Sequence, residues 1–313
     1  MGVQEIINVF EEVVTIPFSY LFSPNKRVYW IYLLSSAIIA FYVYKKTKIK
    51  SSFFAYVFNK KTWIGKSALI DYAFIFFNGI IKVLFLAPFV VYAFYIADGI
   101  NCFFYDKYGA LTFNWSVSEI VISYTVLIVV LNDFVTFIIH YLMHKIPFLW
   151  EFHKVHHSAT ELNPFTQYRI HPVELILNNF GEVLVKGSLT GIFLYLANNQ
   201  VSIVTFLGVN ILNFLFYFFG ANLRHSHVKF KYTSFLEYFI ISPYQHQIHH
   251  SNNPELYDTN MGSRFAIWDW MFGTLIVSKK VNKLSFGLGR TEDKLYNSFF
   301  KNLLNPFKRI FNK

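Results

Sequence analysis

The chemistry of this 313-residue chain is concentrated in its histidines. All eleven lie between His140 and His250. They fall into five groups: His140 and His144; His153, His156 and His157; His171 alone; His225 and His227; and His246, His249 and His250. His140 and His144 are four apart, and each triplet stands at i, i+3 and i+4. On a helix those spacings put the imidazoles on one side within a turn. Neutral imidazole suits Zn, Cu, Fe and Ni. One tetrahedral zinc ion needs only four ligands. Eight imidazoles at helical spacing, with His171, His225 and His227 available to complete the set, exceed that and predict two metal ions. His225 and His227 are two apart and cannot share a helix face, so one of them is expected to support a ligand rather than to bind metal.

Carboxylates nearby are Asp133, Glu151, Glu161, Glu174, Glu237, Asp258 and Asp269. Any of these could orient a ligating imidazole through its second ring nitrogen. Asp133 and Glu174 lead the group. Asp133 lies seven residues before His140 on nearly the same helix face, and an ionisable residue inside an apolar run is a functional candidate. No catalytic residue beyond the metal ligands is expected. The chain has no His-Glu-x-x-His, no Gly-x-Ser-x-Gly, no Gly-x-Gly-x-x-Gly and no phosphate-binding loop. A nicotinamide or flavin is therefore not expected to bind, and electrons would come from another protein.

The elements that position these residues are apolar helices. Apolar residues make up 54% of the chain and charged residues 15%, where soluble domains carry about 25% charged residues. That balance predicts an all-α protein with several membrane spans. Expected apolar stretches are Val28–Tyr44, Ala68–Ala97 (kinked at Lys82 and Pro88), Ile120–His144, Leu175–Leu196 and Val201–Phe219. Asp98–Ser116 is expected as a loop, and Ala197–Gln200 as a tight turn within a membrane hairpin at 175–219. Ile6 to Val14 shows helical periodicity that suits the membrane interface. Seven lysines between Lys45 and Lys66 mark one side as cytoplasmic, and all the histidine groups fall on that side.

Three regions are expected: 1–115 with two spans, 116–278 carrying the histidines, and a basic cytoplasmic tail at 279–313. The net charge of +10 arises from lysines that flank apolar runs, so anionic lipid rather than nucleic acid is the expected partner. The single cysteine, Cys102, excludes an intrachain disulfide and a cysteine metal site.

The three histidine boxes, with Leu149–Ser158, Arg169–Glu174, Asn222–His227 and Ile267–Thr274 around them, resemble the sterol desaturase / fatty acid hydroxylase superfamily of membrane di-iron oxygenases. The resemblance covers roughly residues 130 to 275. It implies a transmembrane helix bundle capped by a cytoplasmic helical domain. It also implies two iron ions held by the box histidines, and O2 as co-substrate for hydroxylation or desaturation of a lipid. A separate haem or iron–sulfur protein would supply electrons, since no His-Pro-Gly-Gly haem signature is present. Sterol, fatty-acyl and ether lipid substrates stay open at this point. Phe165, Tyr168, Phe216, Tyr217 and Tyr244 are candidates to wall a lipid pocket. A membrane metal-ion transporter and a bis-histidine haem protein are the competing readings.

Overall fold

Apolar runs form the long helices, and capping residues or proline set their ends. A computed structural model describes residues 15, 18–111, 115–198 and 210–311. The expected interfacial segment before Val14 and the stretch 199–209 of the hairpin lie outside them. Helix α1 (Trp30–Thr47) ends at Lys48 in a left-handed conformation. Helix α2 (Lys66–Ile81) passes through a π-helical turn, Lys82–Leu86, into α3 (Ala87–Tyr108). Pro88 falls where the π-helical turn meets α3, so its missing N–H interrupts the helical bonding at the point where the helix is distorted. Helix α4 (Val117–Lys145) starts at a capping box between Ser116 and Glu119. It stops at Ile146 because Pro147 opens α5 (Pro147–His157). The chain continues through α6 (Pro172–Leu196), α7 (Ile211–Phe218), α8 (Pro243–His249), α9 (Ile267–Met271) and α10 (Phe299–Phe311). Among the described residues there is no strand, only a lone bridge between Ile240 and Phe265. The protein is all-α, as its composition predicts.

Three helical stretches are long and apolar enough to cross a membrane: Lys66–Leu86, Pro88–Tyr108 and Val117–Lys145. The helix expected at Val28–Tyr44 forms as α1 but is not among them, since Ser35, Ser36, Lys45 and Lys46 dilute its apolar character. Asp98–Ser116, expected as a loop, is helical as far as Tyr108. The run Asn101–Tyr105 keeps good helix contacts there: Phe104 stacks on Tyr195 of α6 at 5.2 Å. From Lys66 to Tyr108 the helical path is roughly 65 Å at 1.5 Å per residue, about twice a bilayer core. Its first half is more covered by protein than its second, 39% buried against 6%. Ser67, Ala68, Ile70, Asp71, Phe74, Ile75, Asn78 and Gly79 are all buried.

Helix α6 packs between α3 and α4. A Cβ on Gly187 would stand 2.9 Å from the Ala93 carbonyl, and one on Gly191 2.5 Å from the Ala97 carbonyl, so only glycine permits this approach to α3. Toward α4, Ile120, Tyr124, Leu189 and Phe193 form a buried cluster. A buried ion pair ties α2 to the segment between α5 and α6. Arg169 Nε donates to Asp71 at 2.7 Å, and Asp71 also accepts from Asn163 and Thr166 at 2.9 Å each. The segment expected as a basic tail contains α10, which docks on α5. Ser158 donates to Asn302 at 2.8 Å, and Phe307 packs on Phe152 and His171.

Candidate metal centre

Two triplets at identical spacing face each other and are shared between two groups. His140 and His144 of α4, His153 and His157 of α5 and His249 of α8 form the first. His156 of α5, His225, and His246 and His250 at α8 form the second. Within each group one nitrogen of every ring lies within 4.8 Å of all the others. The i, i+4 pair of α5 enters the first group and its middle histidine the second. For α8 the assignment is reversed. Each triplet therefore reaches both groups, which holds the two close together.

Helix starts place the triplets. Ile146 serves both as the end of α4 and as the N-cap of α5, so Pro147 turns the chain between the first two boxes. Helix α8 opens with a Ser242–Gln245 capping box and Pro243 in its first turn. Ser242 in turn donates to Glu237 at 2.6 Å.

The Nδ1 atoms are directed outward. His140 Nδ1 is 2.7 Å from the Met261 carbonyl, His249 Nδ1 2.8 Å from that of Thr259, and His156 Nδ1 3.2 Å from that of Arg169. His144 Nδ1 meets Asp258 at 3.1 Å, and His153 Nδ1 stands 3.0 Å from Glu174. A carbonyl can only accept, so Nδ1 carries the proton and Nε2 keeps its lone pair. The loop that supplies two of these carbonyls alternates its backbone: Asp258 has φ 57° and Asn260 φ 51°. Asp and Asn tolerate this left-handed region better than most residues. Asp269 pins the same loop by accepting from Met261 and Gly262 N–H at 2.7 Å each.

The Nε2 atoms point inward and converge. His140 and His153 meet at 3.0 Å. His225 lies 3.3 Å from His156, 3.1 Å from His250 and 3.1 Å from His246. One proton cannot satisfy several such contacts at once. Nε2 of His144, His157 and His249 is buried without a hydrogen-bond partner. Two imidazoles bound to one ion at about 2.0–2.1 Å are separated by about 2.9–3.4 Å, so the observed spacing fits a shared metal. Burial pushes the His153 imidazole down to about 3. Burial first, and charge on neighbouring imidazoles next, push His156, His157, His225, His246, His249 and His250 well below the ordinary range. Each is held neutral, the form that binds metal.

Two of the eleven histidines stand apart. His171 caps α6: its Nδ1 accepts from Val173 N–H at 3.2 Å and its Nε2 donates to the Leu303 carbonyl at 3.1 Å. Both nitrogens are occupied. His227 packs edge-on against Tyr56 at 4.8 Å. Of the two leading carboxylates, Glu174 meets a histidine and Asp133 does not. Asp133 accepts from the N–H groups of Arg264 and Phe265 at 2.9 and 3.0 Å and from Trp268 Nε1 at 3.1 Å, fixing the segment that follows the loop. Asp258 fills the direct role instead. Its signal was present in the sequence only as one carboxylate among several. Glu151 pairs with Lys154 at 2.8 Å and Glu161 with Lys61.

One opening borders this centre, and a second cavity, lined by no histidine, lies among the helices. A cleft of about 380 Å³ reaches His144, His157 and His249 past Trp150, Tyr257 and Asp258. An apolar cavity of about 520 Å³ lies between α1, α4 and α7, walled by Val129, Leu212, Phe216, Phe230 and Ile240 with Arg264 at its edge. Of the aromatics expected to wall a lipid pocket, Phe216 lines this cavity. Phe165 packs instead on Trp63 and Tyr72, and Tyr244 lies under Lys231.

A fatty acid hydroxylase family profile matches residues 125–274, which span all nine converging histidines. Over these residues the chain is similar to the fatty acid hydroxylase family. The chain is similar to an ornithine lipid hydroxylase of Rhizobium tropici, 29% identical over 184 residues, covering 59% of this chain and 50% of that protein. It is also similar to an alkylglycerol monooxygenase of Xenopus tropicalis, 25% identical over 156 residues, covering 50% of this chain and 31% of that protein. The chain thus spans half or less of the length of these relatives. No solved structure matches.

Proposed function

We propose that the protein is a membrane di-iron monooxygenase that hydroxylates a C–H bond of a lipid. The observation that carries this reading is the pair of converging Nε2 groups, five and four neutral imidazoles in adjoining sites. Nine imidazoles fit two ions and exceed the needs of one. The relatives named for lipid hydroxylation and monooxygenation support lipid as the substrate class. When bound, the iron pair supplies O2 activation and hydrogen removal from an unactivated C–H bond. The balance is one O2, two electrons and two protons per C–H, giving one C–OH and one water. A separate donor protein brings the electrons.

The chain's own residues do the rest. Met261, Thr259 and Arg169 carbonyls, with Asp258, set the tautomer and direction of four rings, and Glu174 stands 3.0 Å from a fifth. The apolar cavity admits a hydrocarbon chain from the bilayer and keeps water out of its path. The cleft beside His144 and His157 gives polar access from the opposite side, which we assign to the cytoplasm on the lysine distribution.

Metal analysis and lipid mass spectrometry test the reading together. Purified protein is expected to hold two irons per chain. Cells expressing it under 18O2 are expected to gain a lipid heavier by one 18O atom. Loss of two hydrogens instead would make it a desaturase. Exchangeable zinc with no change in the lipids would sink the oxygenase assignment.

A further inference from the structure

A second group of charges gathers around two tyrosines rather than around the histidines. Tyr20 is held by two ammonium groups. Lys26 Nζ is 5.0 Å and Lys82 Nζ 5.5 Å from its ring centroid, and Lys82 donates to its hydroxyl at 3.4 Å. Tyr20 also stacks on Tyr168 at 5.7 Å, and Tyr168 in turn is within electrostatic reach of Arg27 and Tyr217. Two guanidinium groups share Tyr217: Arg27 at 5.7 Å and Arg264 at 6.0 Å from its ring, with Arg264 donating to its hydroxyl at 3.3 Å.

These cations lack a matching set of anions. Glu182 and Asp133 face them, and both are engaged: Glu182 is 2.5 Å from Lys186, and Asp133 is 3.2 Å from Arg264. Among the described residues, no carboxylate is within ion-pair distance of Lys26 or Lys82. Among the described residues, Lys26, Arg27, Lys82, Lys186 and Arg264 face two carboxylates, Glu182 and Asp133. Cations in apolar surroundings are costly unless paired, and like charges at this range add to the cost. Burial, and next the charge of Lys82, push the Lys26 ammonium below the ordinary lysine range. Lys82 opens the π-helical turn, a distortion that recurs at functional sites. Arg264 is 8% exposed, and its Nε is buried without a partner. The same arginine edges the apolar cavity. Arg264 thus touches both Tyr217, which it shares with Arg27, and the hydrocarbon-lined space, and this pairing suits an amphiphile with an acidic head.

We propose that Lys26 and Lys82, with Arg27 and Arg264 behind them, bind the anionic headgroup of a membrane lipid, through its phosphate or its carboxylate. On the lipid hydroxylase reading, on which this extension rests, acidic lipids are the class presented to the histidine centre. Lysine meets such oxygens as a compact point charge, and arginine adds directed donors.

The test uses the full chain, purified from iron-supplemented cells into maltoside micelles. Its melting is followed while dioleoyl phosphatidic acid, oleate, dioleoyl phosphatidylcholine or inorganic phosphate is titrated in. Phosphatidic acid, oleate or both should stabilise the protein at concentrations about tenfold below phosphatidylcholine, the size expected of one charge-assisted contact. Which of the two acts separates phosphate from carboxylate. K26Q/K82Q should lose the preference and K26R/K82R should keep it. If K26Q/K82Q does not fold, K26Q alone, outside the spans, is read the same way. Equal response to acidic and zwitterionic lipid, or a preference that survives the glutamine variants, overturns the site. Stabilisation by inorganic phosphate at the same concentration overturns its assignment to a lipid. Metal content in the same samples separates the two readings. Wild-type protein with bound metal but no lipid preference fails this proposal alone, and acidic-lipid preference without metal fails the hydroxylase reading alone.

Discussion

The two histidine groups draw on the same two triplets, yet their surroundings differ. In the five-histidine group, three rings have Nδ1 fixed by hydrogen bonds, His140 and His249 by carbonyls and His144 by a carboxylate, while His153 Nδ1 lies 3.0 Å from Glu174 without a hydrogen bond. In the four-histidine group His156 has such a partner, while Nδ1 of His246 and of His250 is buried without one. The first group also borders the polar cleft through three of its members. The second has Arg224 next in sequence to His225, buried and stacked over Phe216. Outer partners raise the basicity of an imidazole and fix its direction. On the proposed reading, the five-histidine group, with more imidazoles and more outer partners, is expected to hold its ion more tightly than the four-histidine group.

Removing a ligand should produce the largest effect. His225→Ala leaves three imidazoles in the second group. Activity should fall to background and metal content should drop from two ions toward one, as measured by plasma mass spectrometry. His157→Ala leaves four in the first group, so it should retain more metal than His225→Ala. If the order is reversed, the contrast drawn between the groups is wrong.

The outer partners come next. Glu174→Gln and Asp258→Asn should each lower metal affinity about 10- to 100-fold, since partners of this kind typically carry that much. In a chelator titration of the wild type, the first ion released should belong to the four-histidine group. In Glu174→Gln the two ions should leave together. Unchanged release in both variants would remove the carboxylates from the account.

A pH effect of smaller size is expected in metal-free protein. The buried imidazoles are shifted below their unfolded value, His153 to about 3 and His171 to about 4. The unfolded chain therefore binds more protons as pH falls below about 6.5, so stability is full above that value and lost progressively beneath it. The melting temperature should decline from pH 7 to pH 5 without metal and change much less with both sites filled. A flat profile for the metal-free protein would contradict the neutral, buried state of the rings.

The smallest effects belong to the two outlying histidines. His171→Asn keeps a good helix cap but loses the Leu303 hydrogen bond and ring packing, so it should cost about 1–3 kcal/mol of stability and leave the metal content at two ions. His227→Phe should behave likewise. Loss of an ion in either variant would enlarge the ligand set beyond the nine.

Much of this arrangement was legible in the chain because helix periodicity is local. The spacing of His153, His156 and His157 and of His246, His249 and His250 places each triplet on one side of a helix wherever that helix lies. Pro147, Ser116 and Ser242 mark helix starts through their own backbone chemistry. The apolar runs specify helices, although α3 continues to Tyr108 through Asp98 and polar residues whose types imitate a loop. Contacts between distant segments were not legible. Choosing Asp258 rather than Asp133 as a histidine's partner needs the position of a loop more than 110 residues from His144. The role of α10 depends likewise on its docking beneath His171.

By itself the sequence determined that the chain is helical and rich in membrane-length apolar runs, and that it has more clustered imidazoles than one ion can use. Side-chain types and their spacing carry that information without reference to the rest of the molecule. Only the tertiary structure divided each triplet between two groups, drew in His225, left out His227 and gave His171 a capping role. A helix face has a direction but no destination until another element packs against it. The carbonyls of Thr259 and Met261 show the same limit: they reach His249 and His140 only because Asp258 and Asn260 bend the loop in the left-handed region and Asp269 holds it there.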